Sequence, residues 1–175
     1  MILLDALKDL FLPPVCAACD AAYGEDGESG LCRTCLDRLE EYAANLCPAC
    51  GRYLVSPVCR VCRRAGPPWR RLAVLGGVLA AAIRAGKIAE RHEVIEPLAR
   101  RLETRLAGPY DAVVAVPSDH AFAGLLADWL AASLGAARLE VLRRLPGARR
   151  QVGLSRRERR QNAGVALGRL DVEPG

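Results

Sequence analysis

The sequence contains no apolar run long enough to cross a lipid bilayer. Its most apolar stretch, Leu72 to Ile83, has twelve residues and ends at Arg84, whereas a membrane-spanning helix needs about 20. We expect no secretory leader, because Asp5 and Asp9 fall inside what would be its apolar core and no cleavage site follows. These absences predict a cytoplasmic protein with reduced thiols and no membrane insertion.

Aromatic residues are also scarce, at 5% of the chain. Tyr23, Tyr42 and Tyr53 are the only rings among the cysteines, so few side chains there could stack on nucleic-acid bases. Residues 1–68 hold nine acidic residues against seven basic ones. If the cysteine-rich region is itself the functional module, this composition favours a protein contact over DNA.

Cysteine is abundant, but it is confined to the first third of the chain. Eight cysteines form four C-x-x-C pairs, and none follows residue 62. Each pair can offer two thiolates to one metal ion, and two pairs complete a tetrahedral four-thiolate site. The pattern predicts two structural Zn²⁺ sites and favours them over disulfides or redox motifs. The predicted ligands are Cys16, Cys19, Cys32, Cys35, Cys47, Cys50, Cys59 and Cys62.

Spacing leaves the pairing of these ligands open. Sequential pairing places gaps of twelve and eight residues inside the two sites, which suits a zinc ribbon. Crossed pairing of the first pair with the third, as in RING-type modules, is the alternative. Gly51 follows the third pair, where a left-handed residue turns backbone N–H groups toward sulfur, whereas Asp20 takes that place in the first knuckle.

The chain divides by composition near residue 68. Residues 3–12 have the apolar spacing of a short helix, and Gly66-Pro67-Pro68 is typical of a linker. We predict an N-terminal domain at 1–68 and an α/β domain at 69–175. Its predicted elements are strands at 72–75, 111–116 and 138–142 and helices at 78–85, 90–106 and 121–134. The order β-α-β after residue 110 indicates a parallel sheet with flanking helices.

Positive charge is concentrated near the end of the sequence. Between Arg138 and Asn162, nine arginines face two glutamates, a net charge of +7 that leaves −2 for the rest of the chain. Arg156, Arg159 and Arg160 share one face of a helix if Ser155 caps it. Such a cluster either binds phosphate on a nucleotide or nucleic acid, or forms a solvated surface helix.

The paired cysteines, the Pro-Pro linker, a strand ending in Val116-Pro117 and the run from Gln151 to Asn162 resemble the ComF family. That family joins a double zinc ribbon to a phosphoribosyltransferase-like domain and is associated with competence and DNA uptake. The resemblance implies contacts with nucleic acid, nucleotide phosphate or a competence or recombination protein. It also suggests a phosphate-binding role for Arg149, Arg150, Arg156, Arg157, Arg159 and Arg160.

Two departures from the family point away from catalysis. The basic residues and Asn-Gln expected after Val-Pro are absent, so that Asp119 and His120 are the only acid/base candidates at that strand end. The apolar strand followed by two acids and a Thr/Gly-rich loop, which binds phosphoribosyl diphosphate, is not found. We therefore expect an incomplete phosphoribosyltransferase-like sheet with a binding or accessory role. A Mg²⁺-dependent phosphoribosyltransferase is the alternative, if the chain continues beyond residue 175.

Overall fold

The computed structural model describes residues 13–47, 52–54, 59, 72–73, 75–106, 108–147, 149 and 153–169. Contacts between residues divide the chain into two compact units, Met1–Gly108 and Pro109–Gly175. The helix predicted at 3–12 and the linker predicted at 66–68 lie outside the described residues, and the domain boundary near residue 68 stays a prediction. Over the described part of the chain, no helix combines the length and apolar character that crossing a bilayer requires.

A tight turn near the start of the first unit carries the first cysteine pair. The Cys16 N–H donates to the Ala21 carbonyl at 2.8 Å, and the Asp20 N–H donates to the Cys16 carbonyl at 2.9 Å. Val15 and Ala22 pair antiparallel across this turn. Asp20 has φ 59°, so this knuckle takes a left-handed residue even though Asp tolerates that region less well than Gly.

Helix α1, Arg33–Ala44, follows directly from the second cysteine pair. Cys32 is its N-cap residue and has extended backbone angles. The buried positions recur about once per turn, which is the period of one helical face. They are Cys35, Leu36, Leu39 and Ala43. A metal-ligating side chain and the apolar face of α1 are therefore buried together.

Three further helical segments complete the described part of the first unit. They are α2, Gly77–Ile88; a 3₁₀ turn, His92–Val94; and α3, Ile95–Glu103. Val94, Ile95 and Leu98 are buried, so this face of the helical segment belongs to the core. The helix predicted over residues 90–106 is shorter than expected and starts with the tighter 3₁₀ turn.

Two local predictions in this region are wrong. Residues 72, 73 and 75 form bends instead of the strand predicted at 72–75, because a short apolar run does not by itself distinguish a strand from other buried segments. Helix α2 continues past Gly86, and the Ala89 N–H still bonds to the Ala85 carbonyl. A glycine near the end of an apolar run is therefore not the stop signal here.

The cysteine-rich region and the later helices share one core. The most deeply buried large side chains come from both segments: Leu31, Leu36, Leu39, Val94, Pro97, Cys16 and Cys35. Gly30 lies where the two segments come into contact. It has φ +76°, and a Cβ there would come within 2.6 Å of Glu93 Cγ and 3.0 Å of Val94 Cγ1. Only glycine meets both the backbone and the packing requirement at this position.

A cluster of ion pairs also fastens α3 to the cysteine-rich region. The Arg101 guanidinium donates two hydrogen bonds to the Glu28 carboxylate, at 2.7 and 2.9 Å. Its Nε lies 3.0 Å from Glu40 Oε1, although the N–H is not aligned for a hydrogen bond. Arg105 approaches Glu40 at 3.3 Å. These pairs join residues 61 to 73 positions apart, so no local sequence pattern reveals them.

The second unit contains the predicted β-α-β arrangement. Strand β1, Ala112–Val114, runs parallel to β2, Ala137–Leu139, and helix α4, Phe122–Leu134, connects them. The prediction of a parallel pair is confirmed. Strand β1 is shorter than the strand predicted at 111–116 and is not fully buried, since Val114 is 39% exposed. A two-stranded sheet with α4 packed on it leaves part of β1 in solvent.

An antiparallel pair of strands and a polar helix follow. Strand β3, Leu142–Arg144, pairs antiparallel with β4, Leu167–Arg169, and helix α5, Arg156–Ala166, lies between them in sequence. The single strand predicted at 138–142 is therefore two short strands, β2 and β3, in different sheets. The described structure is a mixed helix-and-strand fold with a small parallel sheet.

Candidate functional site

The structure brings four cysteine sulfurs together in the first unit. The Sγ atoms of Cys16, Cys19, Cys32 and Cys35 all lie within 4.8 Å of one another. Those of Cys19 and Cys32 are 3.7 Å apart. Four thiolates at about 2.3 Å from a tetrahedral zinc ion have sulfurs separated by about 3.8 Å. The group, named here the zinc cluster, therefore fits zinc with four protein ligands and no open position for substrate.

Two local structures position these ligands. The turn closed by Asp20 presents the first pair, and the Ala18 N–H points at Cys16 Sγ at 3.5 Å. The N-terminus of α1 presents Cys32 and Cys35, and three of the four cysteines are buried while Cys19 is exposed. A knuckle and a helix start of this kind hold four sulfurs with little backbone freedom, which is the requirement of a structural site.

Backbone N–H groups favour the thiolate form at one ligand. Burial raises the pKa of the Cys16 thiol, but N–H groups of Cys32, Ala18 and Cys19 outweigh this effect and bring the pKa to about 7. Burial and neighbouring sulfurs raise the pKa of Cys35 well above its usual range. Zinc offsets that effect, because metal binding requires and stabilises the deprotonated thiolate.

The cluster decides the ligand pairing of the first site. The first and second C-x-x-C pairs lie together, as in the sequential arrangement, and the crossed alternative does not apply to these four residues. For the second site, the structure describes Cys47, which is buried, and Cys59, which is partly exposed. Cys50, Gly51 and Cys62 lie outside the described residues, so the second site stays a prediction.

The segment around the third cysteine pair has ribbon-like pairing. Leu46 and Tyr53 form an antiparallel bridge. The Cys47 N–H donates to the Arg52 carbonyl, and the Leu54 N–H donates to the Asn45 carbonyl, both at 2.8 Å. Residues 45–47 and 52–54 therefore run antiparallel to each other.

Comparison with known families agrees with this geometry. Residues 7–68 match the double zinc ribbon domain. The N-terminal region is thus a zinc-binding ribbon, with the zinc cluster as its first site. Neither the curated proteins nor the solved structures contain a match to this chain. The family match ends at residue 68 and does not extend into the second unit.

In the second unit, α5 carries four of the arginines predicted to bind phosphate, and the side chains of three of them make no hydrogen bond or ion pair within the described residues. Arg156, Arg157 and Arg160 are exposed, and they are named here the α5 arginines. Ser155 caps the helix as expected: its hydroxyl accepts from the Glu158 N–H at 3.3 Å, and the Glu158 carboxylate accepts from the Ser155 N–H at 2.8 Å. The reciprocal pair is a capping box, which fixes the helix start.

The other predicted phosphate ligands have different surroundings. Arg159 Nε donates to the Leu154 carbonyl at 2.8 Å, so this side chain holds the segment before the helix. Arg149 lies 3.7 Å from the Glu158 carboxylate, and Arg150 lies outside the described residues. Buried Asn162 fixes the Arg149 backbone by accepting from its N–H and donating to its carbonyl. Asn162 therefore has a structural role in joining α5 to the preceding loop.

A cavity of about 300 Å³ lies at the carboxyl end of β1. Its lining includes Val116, Pro117, Ser118, His120, Arg138 and Glu140. Asp119, the other acid/base candidate, is paired with Arg144 at 2.8 Å. The carboxyl ends of parallel strands are where α/β sheets usually bind ligands, so this cavity is the second candidate site.

Proposed function

We propose that the chain is a cytoplasmic ComF-type protein in which a structural double zinc ribbon, with two Zn²⁺ ions, is joined to a phosphoribosyltransferase-like unit. That unit binds the phosphates of nucleic acid or of a nucleotide and has a binding or accessory role. The resemblance of the sequence to the ComF family supports a function in DNA uptake, alongside competence or recombination proteins.

The observation that carries this proposal is the exposure of the α5 arginines on a capped helix. None of the three forms an ion pair with a carboxylate in the described part of the chain. Arginine presents several N–H donors in a planar fork that matches phosphate oxygens. A capped helix fixes the backbone positions from which the three side chains extend.

The other charges of the second unit strengthen this interpretation. Two of its acids are engaged by arginines outside α5, in the pairs Asp128–Arg138 and Asp119–Arg144, each at 2.8 Å. Glu158 is engaged by the capping box. The unit carries ten arginines against seven acids, a net charge of +3. The α5 arginines therefore face solvent as the accessible cations that an anionic polymer would meet.

DNA binding measured against salt concentration tests this proposal. For wild-type protein we expect affinity for single-stranded DNA to fall steeply with salt, as counterions are released. Replacing the α5 arginines together by alanine removes up to three phosphate contacts and lowers the log–log slope by about two. The matched control replaces Arg33, Arg84 and Arg100, exposed arginines on three helices of the first unit, which changes the charge equally. Equal affinity and slope for both triple variants would refute the role of α5.

A phosphoribosyltransferase using Mg²⁺ and phosphoribosyl diphosphate is the second candidate. The parallel β-α-β unit and the cavity beside Ser118 and His120 favour it. Against it, the sequence supplies no pair of acids after an apolar strand to hold a magnesium-bound ribose diphosphate. Release of pyrophosphate from phosphoribosyl diphosphate in the presence of amine or nucleobase acceptors distinguishes the candidates, and turnover would favour the enzyme.

A further inference from the structure

Two exposed tyrosines and a glycine pair surround a second cavity, in the first unit. The cavity has a volume of about 330 Å³ and is lined by Tyr42, Tyr53, Gly76 and Gly77. It is named here the tyrosine niche. Its volume is at the lower end of the range for ligand pockets, about 300–1,000 Å³. The zinc cluster and the α5 arginines do not contribute to it.

Among the described residues, three separate segments line the tyrosine niche. Tyr42 lies near the end of α1 and is 41% exposed, while Tyr53 lies opposite Leu46 in the ribbon and is 48% exposed. Gly76 and Gly77 form the start of α2. Gly77 has φ +46°, and a Cβ there would lie 3.9 Å from Tyr42 Cε2. The glycine backbone thus borders an aromatic ring with no side chain between them.

This arrangement suits a flat aromatic ligand. Tyrosine rings present π-faces on which a planar group can stack, and glycine lets that group approach the backbone closely. Every nucleobase has such a face, and base–aromatic stacking is the usual way in which single strands are bound without sequence preference. The niche therefore supplies the recognition of bases that a purely cationic surface lacks.

The charges around the niche suit a phosphate backbone. Arg38 precedes Tyr42 by one helical turn and shares its helix face. It is exposed and forms no ion pair within the described residues. Glu41, the nearest acid in sequence, lies about 100° around the helix from Tyr42.

The acidic excess of residues 1–68 is also compensated in the folded unit. Glu28 and Glu40 are paired with arginines of the α3 region, and Asp37 is paired with Arg33. The complete first unit carries a net charge of +2. The acidic excess of residues 1–68 is therefore offset at the level of the whole first unit.

We propose that the tyrosine niche binds an unpaired base of single-stranded nucleic acid by stacking on Tyr42 and Tyr53. The proposal extends the proposed function, phosphate binding by α5, to a second site with different chemistry. The tyrosine niche recognises the base, and the α5 arginines recognise the phosphate backbone of the nucleic acid. Single strands are thereby favoured over duplexes, whose bases are already stacked.

The test compares two labelled oligonucleotides of equal length by fluorescence anisotropy: oligo(dT) and a strand of abasic sites with the same phosphates. Wild-type protein binds oligo(dT) more tightly, roughly 5- to 150-fold for one stacked base. The double variant Tyr42→Leu/Tyr53→Leu keeps the apolar volume but removes the rings, and it binds both strands with the affinity of the abasic one. Tyr42→Phe/Tyr53→Phe keeps the rings and retains most of the preference. Zinc content and circular dichroism confirm that both double variants are folded.

Equal wild-type affinity for the two strands overturns the proposal, as does a base preference that survives in the leucine variant. If a proline-rich peptide competes for binding and the protein shows no preference for oligo(dT) over the abasic strand, the niche is a peptide groove. That result would also overturn the proposal. The proposed function is refuted by a different result. If the α5 triple variant binds both strands with unchanged affinity, α5 does not bind phosphate, whereas the evidence for base stacking in the niche is unaffected. Absence of binding to either strand refutes both.

Discussion

Removing the Arg101 side chain tests whether the ribbon and α3 are held together by the ion-pair cluster. Arg101 is 14% exposed and donates two charge-assisted hydrogen bonds to Glu28, which is 41% exposed. Hydrogen bonds to charged groups contribute about 1.5–3 kcal/mol each when well shielded, whereas fully exposed ion pairs contribute about 0.2–1 kcal/mol. Because the carboxylate is partly solvated and regains water, we expect Arg101→Ala to destabilise the first unit by about 2 kcal/mol.

Arg100→Ala is the matched control, since it makes the same change at the next position of the same helix. Arg100 pairs with Glu96 at 2.5 Å, but the two side chains are 62% and 44% exposed, so the expected loss is below about 0.5 kcal/mol. Urea unfolding of the zinc-loaded protein, followed by hydrogen exchange in peptides covering α1 and α3, reports on the first unit alone. If the free energies of unfolding of the two variants differ by less than about 0.5 kcal/mol, the ion pairs of Arg101 do not hold α3 to the ribbon.

The same cluster predicts a dependence on pH. The hydrogen bond from Arg101, reinforced by its charge and opposed by burial, holds the pKa of Glu28 below its ordinary value of 4.5. A carboxylate whose pKa is lower in the folded state stabilises the fold fully above the unfolded-state pKa and loses this effect as the pH falls through the folded-state pKa. The difference in the free energy of unfolding between wild type and Arg101→Ala therefore becomes smaller below pH 4.5. Urea unfolding at a series of pH values, down to the lowest pH at which zinc stays bound, measures this change.

Two further predictions concern the zinc cluster and α5. Cys35→Ser removes a buried ligand, so metal analysis should find one zinc ion fewer per chain and hydrogen exchange in α1 should speed up; unchanged zinc content would exclude Cys35 as a ligand. Ser155→Ala removes the capping box and should destabilise α5 by about 0.5–2 kcal/mol, measured by hydrogen exchange of residues 156–166. The control is Ser133→Ala, which removes only a hydroxyl bonded to the Leu130 carbonyl within α4. If both variants change hydrogen exchange of residues 156–166 equally, the capping box contributes nothing to the stability of α5.

The candidate sites were predictable to different degrees. The zinc ligands could be identified because C-x-x-C pairs carry their chemistry in local spacing, and Ser155 with Glu158 does the same for a helix start. Arg159 belongs to the predicted phosphate set, yet its Nε bonds to the Leu154 carbonyl. Sequence shows where a guanidinium is but not which carbonyl it reaches, so such assignments need coordinates.

Sequence alone determined the zinc ribbon, the β-α-β order of the second unit and the cationic helix, because each depends on residue spacing within a short segment. Tertiary structure decided the sequential pairing at Cys16, Cys19, Cys32 and Cys35. It also decided the shared core of ribbon and helices, the Arg101 cluster, and the placement of Tyr42, Tyr53 and Gly77 around one cavity. These features depend on contacts between residues far apart in the chain, and no local pattern encodes which distant side chains will meet.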